Sequence, residues 1–316
     1  MWTNDSVPYL QIRQGSLICY AQVEGGGRKK KNDFALTPKA YSGGMTEGAR
    51  KRLRKCVDIL RQISPEHIIF NTVTNDYQPF SLNFITLTIA HAKPLPADWC
   101  HKNLLEPFLR KMRSKWDLRE YIWKVELQER GQIHYHLTTN TFIPWTAIRD
   151  TWNNLMRSNR LLDDFLLRNK HSDPNSIDVH SVYKVKNLGA YLCKYLCKDI
   201  GETKINAKLW DASKNLKAAE YFTITPGARE MINIDQLTRK TALMKKEKEH
   251  CTIYNLMGSS LTDILTPETY QQYLTHLQQI LQSNTGHPLY KKGNAALQPP
   301  ADNNQAQPDR HMQTKK

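Results

Sequence analysis

The chain has no apolar run approaching the ~18 residues that a membrane-crossing helix needs, which argues against a membrane partner. It also lacks a basic N-terminal region followed by a long apolar stretch, so no secretory signal is expected. Six cysteines in 316 residues form no disulfide framework and no Cys-x-x-Cys zinc pair, and they read as reduced intracellular thiols. Nowhere does Gly-x-x-x-x-Gly-Lys-Ser/Thr occur. The glycine-basic run Gly25 to Lys31 is therefore a flexible loop and not a phosphate cradle, and no built-in helicase motor is expected. No internal repeat is found. Acidic residues are scarce beside basic ones: 30 against 45, for a formal charge of +15. Such an excess favours a polyanionic partner, nucleic acid first.

What is present centres on Glu126 to His136. Residues i and i+2 of a strand share a face, so His134 and His136 present two imidazoles side by side. Arg130-Gly131-Gln132 reads as a tight turn, with Gly131 supplying dihedrals that other residues avoid. The hairpin brings Glu126 across from His136 or close to it. Two imidazoles and a carboxylate on one sheet face make a three-ligand site for a divalent metal, with positions left open. Gln128, on the Glu126 side by alternation, is a minor candidate. With eleven histidines in the chain, a chance His-x-His pair is ordinary; the hairpin and the carboxylate give this one its meaning.

A second stretch, Gly189 to Asp199, has helical spacing. Tyr191, Lys194, Tyr195 and Lys198 fall at i, i+3, i+4 and i+7, on one face. Leu192, Cys193, Leu196 and Cys197 make the opposite, apolar face. A tyrosine oxygen attacks phosphorus once its proton is lost, and a neighbouring lysine lowers its pKa and neutralises phosphate charge. A half-buried surface helix with two ordinary tyrosines is the plain alternative.

Taken together with the strand Phe84-Ile85-Thr86-Leu87-Thr88, these stretches resemble three ordered motifs of the HUH endonucleases, in their rolling-circle replication-initiator form. The tyrosines four residues apart resemble the two-tyrosine initiators of single-stranded DNA phages. Tyr135 departs mildly from the aliphatic residue expected between the histidines. The resemblance spans about residues 80–225. It implies an α+β fold, an antiparallel sheet with helices packed on it, like a ferredoxin or RRM core. It implies Mg²⁺ or Mn²⁺ on His134, His136 and Glu126. It further implies attack by Tyr191 or Tyr195 on a phosphodiester of origin single-stranded DNA, giving a 5′-phosphotyrosine and a free 3′-hydroxyl. Lys194 assists and Lys198 holds phosphate. A host helicase and polymerase follow as partners, in the cytoplasm of a bacterial host or the nucleus of a eukaryotic one. A transposase or relaxase with the same chemistry, or a non-catalytic RRM-like single-strand binder, are the alternatives.

The rest of the chain divides into a flexible N-terminal segment at 1–45, a nuclease domain at 46–227, a helical extension at 228–283 and a disordered tail at 284–316. Residues 46–63 read as a helix with Thr46 as N-cap and Leu53, Cys56, Val57, Leu60 and Ile63 inward. Its outer face carries Lys51, Arg54 and Lys55, with Arg50 and Arg52 on the flanks. Arg50, Lys51 and Arg54 are candidates for DNA phosphate contact, a solvated basic face being the plain reading. Helices are expected at 98–116, at 145–156 and over a short stretch at 161–168, strands at 83–90, 119–128, 132–140 and 177–183, and a last strand at 221–225. Trp145 and Trp152 are both read as core.

Overall fold

The computed structural model describes residues 6–23, 45–181 and 205–282. In chain order they form β1 (Ser6–Arg13), β2 (Ser16–Val23), α1 (Glu47–Gln62), β3 (His67–Asn71), β4 (Asp76–Phe80), β5 (Asn83–Thr88), α2 (Ala97–Cys100), α3 (Glu106–Trp116), β6 (Tyr121–Leu127), β7 (Ile133–Thr139), α4 (Trp145–Ser158), α5 (Asp163–Asn169), β8 (Ile177–Ser181) and β9 (Trp210–Ala212). A helix at Lys214–Ala218, β10 (Thr223–Ile224), a helix at Ala228–Arg239, β11 (Leu243–Glu247), β12 (Thr252–Leu256) and a helix at Pro267–Gln282 follow. The protein is α+β with antiparallel sheets. No helix among the described residues is long and apolar enough to cross a membrane.

A central five-stranded sheet has the order β8-β5-β7-β6-β9. Its residues alternate as the pleat requires. Ile85, Leu87, Val125, Tyr135 and Leu137 are buried on one face, where α3 and α4 supply Phe108, Met112, Ile148 and Trp152. Trp152 Nε1 donates to the Thr88 carbonyl at 2.8 Å, tying α4 to the end of β5. A π-helical turn at His101–Leu105 joins α2 to α3. It lies directly before Pro107, which has no N–H to continue the α ladder. On the far side, buried Glu120 accepts from Ser213 Oγ, and from Asn215 Nδ2 at 3.0 Å, and so holds the β9 region beside β6.

Thr46 caps α1 as expected, accepting from the Ala49 N–H at 3.2 Å. The stripe Leu53, Cys56, Val57, Leu60 and Ile63 is buried.

Three expectations need correction. The N-terminal segment is not featureless: β1 and β2 form a hairpin across Gln14-Gly15, with Gly15 at φ +73°. Leu10, Ile12, Leu17 and Cys19 alternate inward there, and burial of such aliphatic side chains contributes ~1.5–3 kcal/mol each. The 228–283 extension is not all helical, because Leu243–Glu247 and Thr252–Leu256 pair as strands. The basic run that read as helix exposes Lys245 and Lys246 on an edge strand, where lysine discourages further pairing. Finally, the stretch at 221–225 does not close the central sheet. β10 pairs with β1 in a second five-stranded sheet, β10-β1-β2-β12-β11, and the unforeseen β9 takes the central edge.

The second sheet packs its own cluster, with Ile234, Leu243, Ile264, Leu265 and Tyr273 joining the inward residues of β1 and β2. The helix Pro267–Gln282 touches both cores: Tyr273 belongs to this cluster and Ile280 to the larger one.

Candidate metal centre

β6 and β7 meet at a five-residue turn, Gln128 to Gln132. Gly131 there adopts φ +80° and its N–H donates to the Gln128 carbonyl at 2.8 Å. A side chain at Gly131 would be strained whatever space it found. The turn sets the register, pairing Glu126 with His134 and Lys124 with His136. Glu126 therefore lies opposite His134, one pair from the expected partner. Its carboxylate leans along the strand: Oε2 is 2.7 Å from His136 Nε2 and 3.4 Å from His134 Nε2. The imidazole centroids are 4.6 Å apart, with rings inclined at 68°. The ligand atoms of all three residues lie within 4.8 Å of one another.

β5 supports the pair from the other side. Thr86 stands opposite His136 and Thr88 opposite His134. Thr86 Oγ1 is 3.2 Å from His136 Nδ1, and the Phe84 ring stacks on His136 at 5.1 Å between centroids. With His136 Nε2–H donating to Glu126, the Thr86 hydroxyl donates to Nδ1. If Nε2 gives its lone pair to a cation, the proton moves to Nδ1 and Thr86 accepts it, the usual outer-shell arrangement of a metal-bound histidine.

Burial lowers the pKa of both His134 and His136, against the opposing pull of Glu126. Their imidazoles are thus neutral at physiological pH, the state that binds metal. Burial alone would raise the Glu126 carboxyl. Hydrogen bonds and charge from His136 and His134 outweigh it, and the net shift is downward. The donor set of two neutral imidazoles and one carboxylate, converging from one face, fits a divalent cation.

One site-face residue escaped the sequence reading. Lys124 is 1% exposed and opposite His136, whose pKa its charge lowers further. The signal was the same alternation that places Glu126 and Gln128. Gln128 lies in the turn, where its Oε1 accepts from Arg130 at 3.0 Å, outside the ligand cluster.

The remaining candidates are scattered. Arg50 donates twice to the Met45 carbonyl, at 2.9 and 3.2 Å, and so fastens the start of α1. Arg54 lies 4.0 Å from Glu47, and Lys51 is exposed. A cavity of about 690 Å³ beside α1 is walled by cations, but Lys208 and Lys217 are both spent on Asp211, at 2.7 and 2.9 Å. Tyr191, Lys194, Tyr195 and Lys198 lie outside the described residues.

Residues 82–200, under half of the chain, match a family model described as replication-associated protein ORF2. No curated protein and no solved structure gives a significant match. The matched stretch begins just before β5 and contains all three ligand residues and both tyrosines. It supports a replication initiator.

Proposed function

We propose that this initiator acts by cutting and rejoining single-stranded DNA through a tyrosine. The carrying observation is the convergence of Glu126, His134 and His136 inside the family-matched stretch. In this reading the phenolic oxygen of Tyr191 or Tyr195 bonds to phosphorus in line with the scissile P–O3′ bond. That bond breaks, its electron pair stays on the 3′-oxygen, and a proton completes the 3′-hydroxyl. The DNA 5′-phosphate remains on tyrosine as a phosphodiester, so reversal by a 3′-hydroxyl reseals the strand without a nucleotide cofactor. Two tyrosines one helical turn apart allow a second cut while the first still holds DNA. Lys194, between them in sequence, offsets the phenolate charge, and Lys198 holds phosphate.

His134, His136 and Glu126 would hold Mg²⁺ or Mn²⁺, which when bound supplies positive charge to the non-bridging phosphate oxygens. Thr86 fixes the His136 ring, and the buried faces of both imidazoles keep them neutral. The net charge of +15 draws in the strand. A host helicase and polymerase complete rolling-circle synthesis in this scheme.

The test is a covalent-adduct assay. Full-length protein is incubated with labelled single-stranded DNA from its own replicon and Mn²⁺, then denatured and resolved on a gel. An adduct is expected, with mass spectrometry placing DNA on Tyr191 or Tyr195. Absence of adduct with every strand of that replicon rejects the reading. An adduct on neither tyrosine rejects the assignment of the nucleophiles.

A further inference from the structure

Across β5 from the metal centre, the edge strand β8 borders a cavity of about 370 Å³. Sites for small ligands begin at about this size. Its walls come from four places: Asn71 and Gln78 of the β3–β4 hairpin, Asn83 of β5, Trp145 at the start of α4, and Asn175 and Asp178 at β8. Four carboxamides and an indole meet there. Amide side chains hydrogen-bond base edges, and aromatic rings stack on base faces.

Two of those amides have spare donors. Asn83 is 2% exposed, and its Nδ2 has no hydrogen-bond partner. A buried unpaired donor costs folding stability, so a native protein that keeps one calls for a reason outside the fold. Asn71 is engaged on both sides, accepting from the Val73 N–H at 2.9 Å and donating to Gln78 Oε1 at 3.3 Å. That bond fixes the Gln78 carboxamide with its oxygen used, and Nε2 has no acceptor among the described residues. Asp178 is taken up by His180 Nε2 at 2.7 Å.

Trp145 completes the site and separates itself from Trp152. Trp152 is wholly buried, whereas Trp145 is 42% exposed on the cavity rim. The Arg149 guanidinium lies 4.8 Å over its ring. The hairpin that brings Asn71 and Gln78 is anchored at its base by Phe80, edge-on to Phe142 at 5.5 Å. The walls therefore belong to packed elements.

We infer that this cavity takes one unpaired base of the DNA strand whose phosphate reaches the metal centre, and so reads part of the nick-site sequence. The inference rests on the proposed nicking function. In register, Asp178 is opposite Thr86, and Thr86 is opposite His136. The cavity is thus about two strand spacings, roughly 10 Å, from the ligands, within reach of a neighbouring nucleotide. The free groups on Asn83 and Gln78 are both donors, so the base they select carries a ring carbonyl. Thymine, cytosine and guanine qualify and adenine does not.

The experiment measures binding with the chemistry switched off. Full-length protein is titrated in chelator against fluorescein-labelled oligo(dT), oligo(dC) and oligo(dA), read by fluorescence anisotropy. Trp145→Leu, Gln78→Ala and Asn83→Ala are compared with wild type, and thermal melting is recorded for each. Wild type is expected to prefer oligo(dT) and oligo(dC) over oligo(dA). Trp145→Leu should weaken oligo(dT) binding about tenfold, the usual worth of one stacked base. Gln78→Ala and Asn83→Ala should bring the oligo(dT)-to-oligo(dA) ratio toward one. Asn83→Ala should melt no lower than wild type, because the amide it removes satisfies nothing in the free protein. Any of three results overturns the inference: no base preference in wild type, variants that keep the wild-type ratio, or dTMP competing as well as oligo(dT) per nucleotide. The last would make the cavity a free-nucleotide site. Adduct formation with Mn²⁺ is scored separately. A base preference lost in the variants supports the cavity even if no adduct forms, and an adduct without preference rejects the cavity while sparing the nicking.

Discussion

The two five-stranded sheets are alike in size and antiparallel order, yet only one carries a ligand cluster among the described residues. In the central sheet the histidines sit on β7, the middle strand, with β5 and β6 bonded on either side. Backbone pairing on both flanks fixes the direction of each side chain, and Thr86, Phe84 and Glu126 hold the rings in place. In the second sheet, the same pleat serves only to bury Leu10, Ile12, Leu17 and Cys19. Its members come from both ends of the described chain, with Cys19 paired to Thr252. Precision of a site thus follows from an interior strand and a short connection, since the triad lies within one hairpin and needs no distant segment to set its register.

The sharpest way to break this contrast is at the histidines. Changing His134 and His136 together to Ala should reduce Mn²⁺-dependent adduct to background, well beyond the ~10–100-fold that loss of an outer-shell partner costs. Non-specific DNA binding at low salt should survive, because surface charge supplies it. Retention of adduct by the double variant would remove the metal assignment. In the second sheet, Leu10→Ala should destabilise the fold by ~2–5 kcal/mol in urea melts. At temperatures where it stays folded, its Mn²⁺ affinity by calorimetry should match wild type. A parallel loss of affinity would mean that the two sheets are not independent in this sense.

A finer cut tests the support of the ring. Thr86→Val keeps the shape and removes the hydroxyl that meets His136 Nδ1 at 3.2 Å. Mn²⁺ affinity should fall about tenfold, with the fold intact. The pH profile follows from the same groups. Both imidazoles have folded pKa values below their ordinary 6.5. The unfolded chain therefore binds more protons than the folded one between those values. Their contribution to stability is complete above about 6.5 and is lost as pH falls through the depressed pKa. Metal affinity should follow the same direction, flat at neutral pH and falling on acidification, with the imidazoles lost before Glu126, whose carboxyl is itself lowered. Affinity that rises as pH drops would show that the imidazoles are not the ligands.

The same contrast explains what could be read from the sequence. His134, His136, Gly131 and Glu126 are neighbours along the chain, so strand alternation and one turn residue were enough to assemble them. Even so, the partner of Glu126 was placed one pair off, because its side chain leans along the strand and register alone does not show that. Thr46 and the Leu53 to Ile63 stripe were legible for the same local reason. β9 was not, since three residues, Trp210 to Ala212, carry too little pattern and are held by the Glu120 hydrogen bonds of another strand. The run 239–248 reads as helix by its lysines but pairs with Thr252–Leu256, a choice made by tertiary contacts over local propensity. Trp145 and Trp152 share one helix and one residue type. Only the packing around α4 distinguishes the exposed ring from the buried one.

The smallest expected effect concerns the residue between the histidines. Tyr135 alternates onto the opposite face, where it is fully buried against His101, Trp123 and Trp152. Its hydroxyl has no hydrogen-bond partner, and burial pushes its pKa far above the ordinary phenol value. The ring thus packs as a hydrophobe, and the oxygen is a desolvated group without compensation. Tyr135→Phe keeps the ring contacts and removes that oxygen. Stability should rise by about 1 kcal/mol, the lower end of what a buried unpaired polar group costs, seen as a higher urea midpoint at unchanged slope. Mn²⁺ affinity and adduct yield should not change, because the two faces of β7 serve separate purposes. A loss of stability would mean that the hydroxyl is satisfied by buried water and that the core face is partly polar. A change in metal affinity at unchanged stability would show that the core face of β7 positions the imidazoles, and the division of labour between the faces would fail.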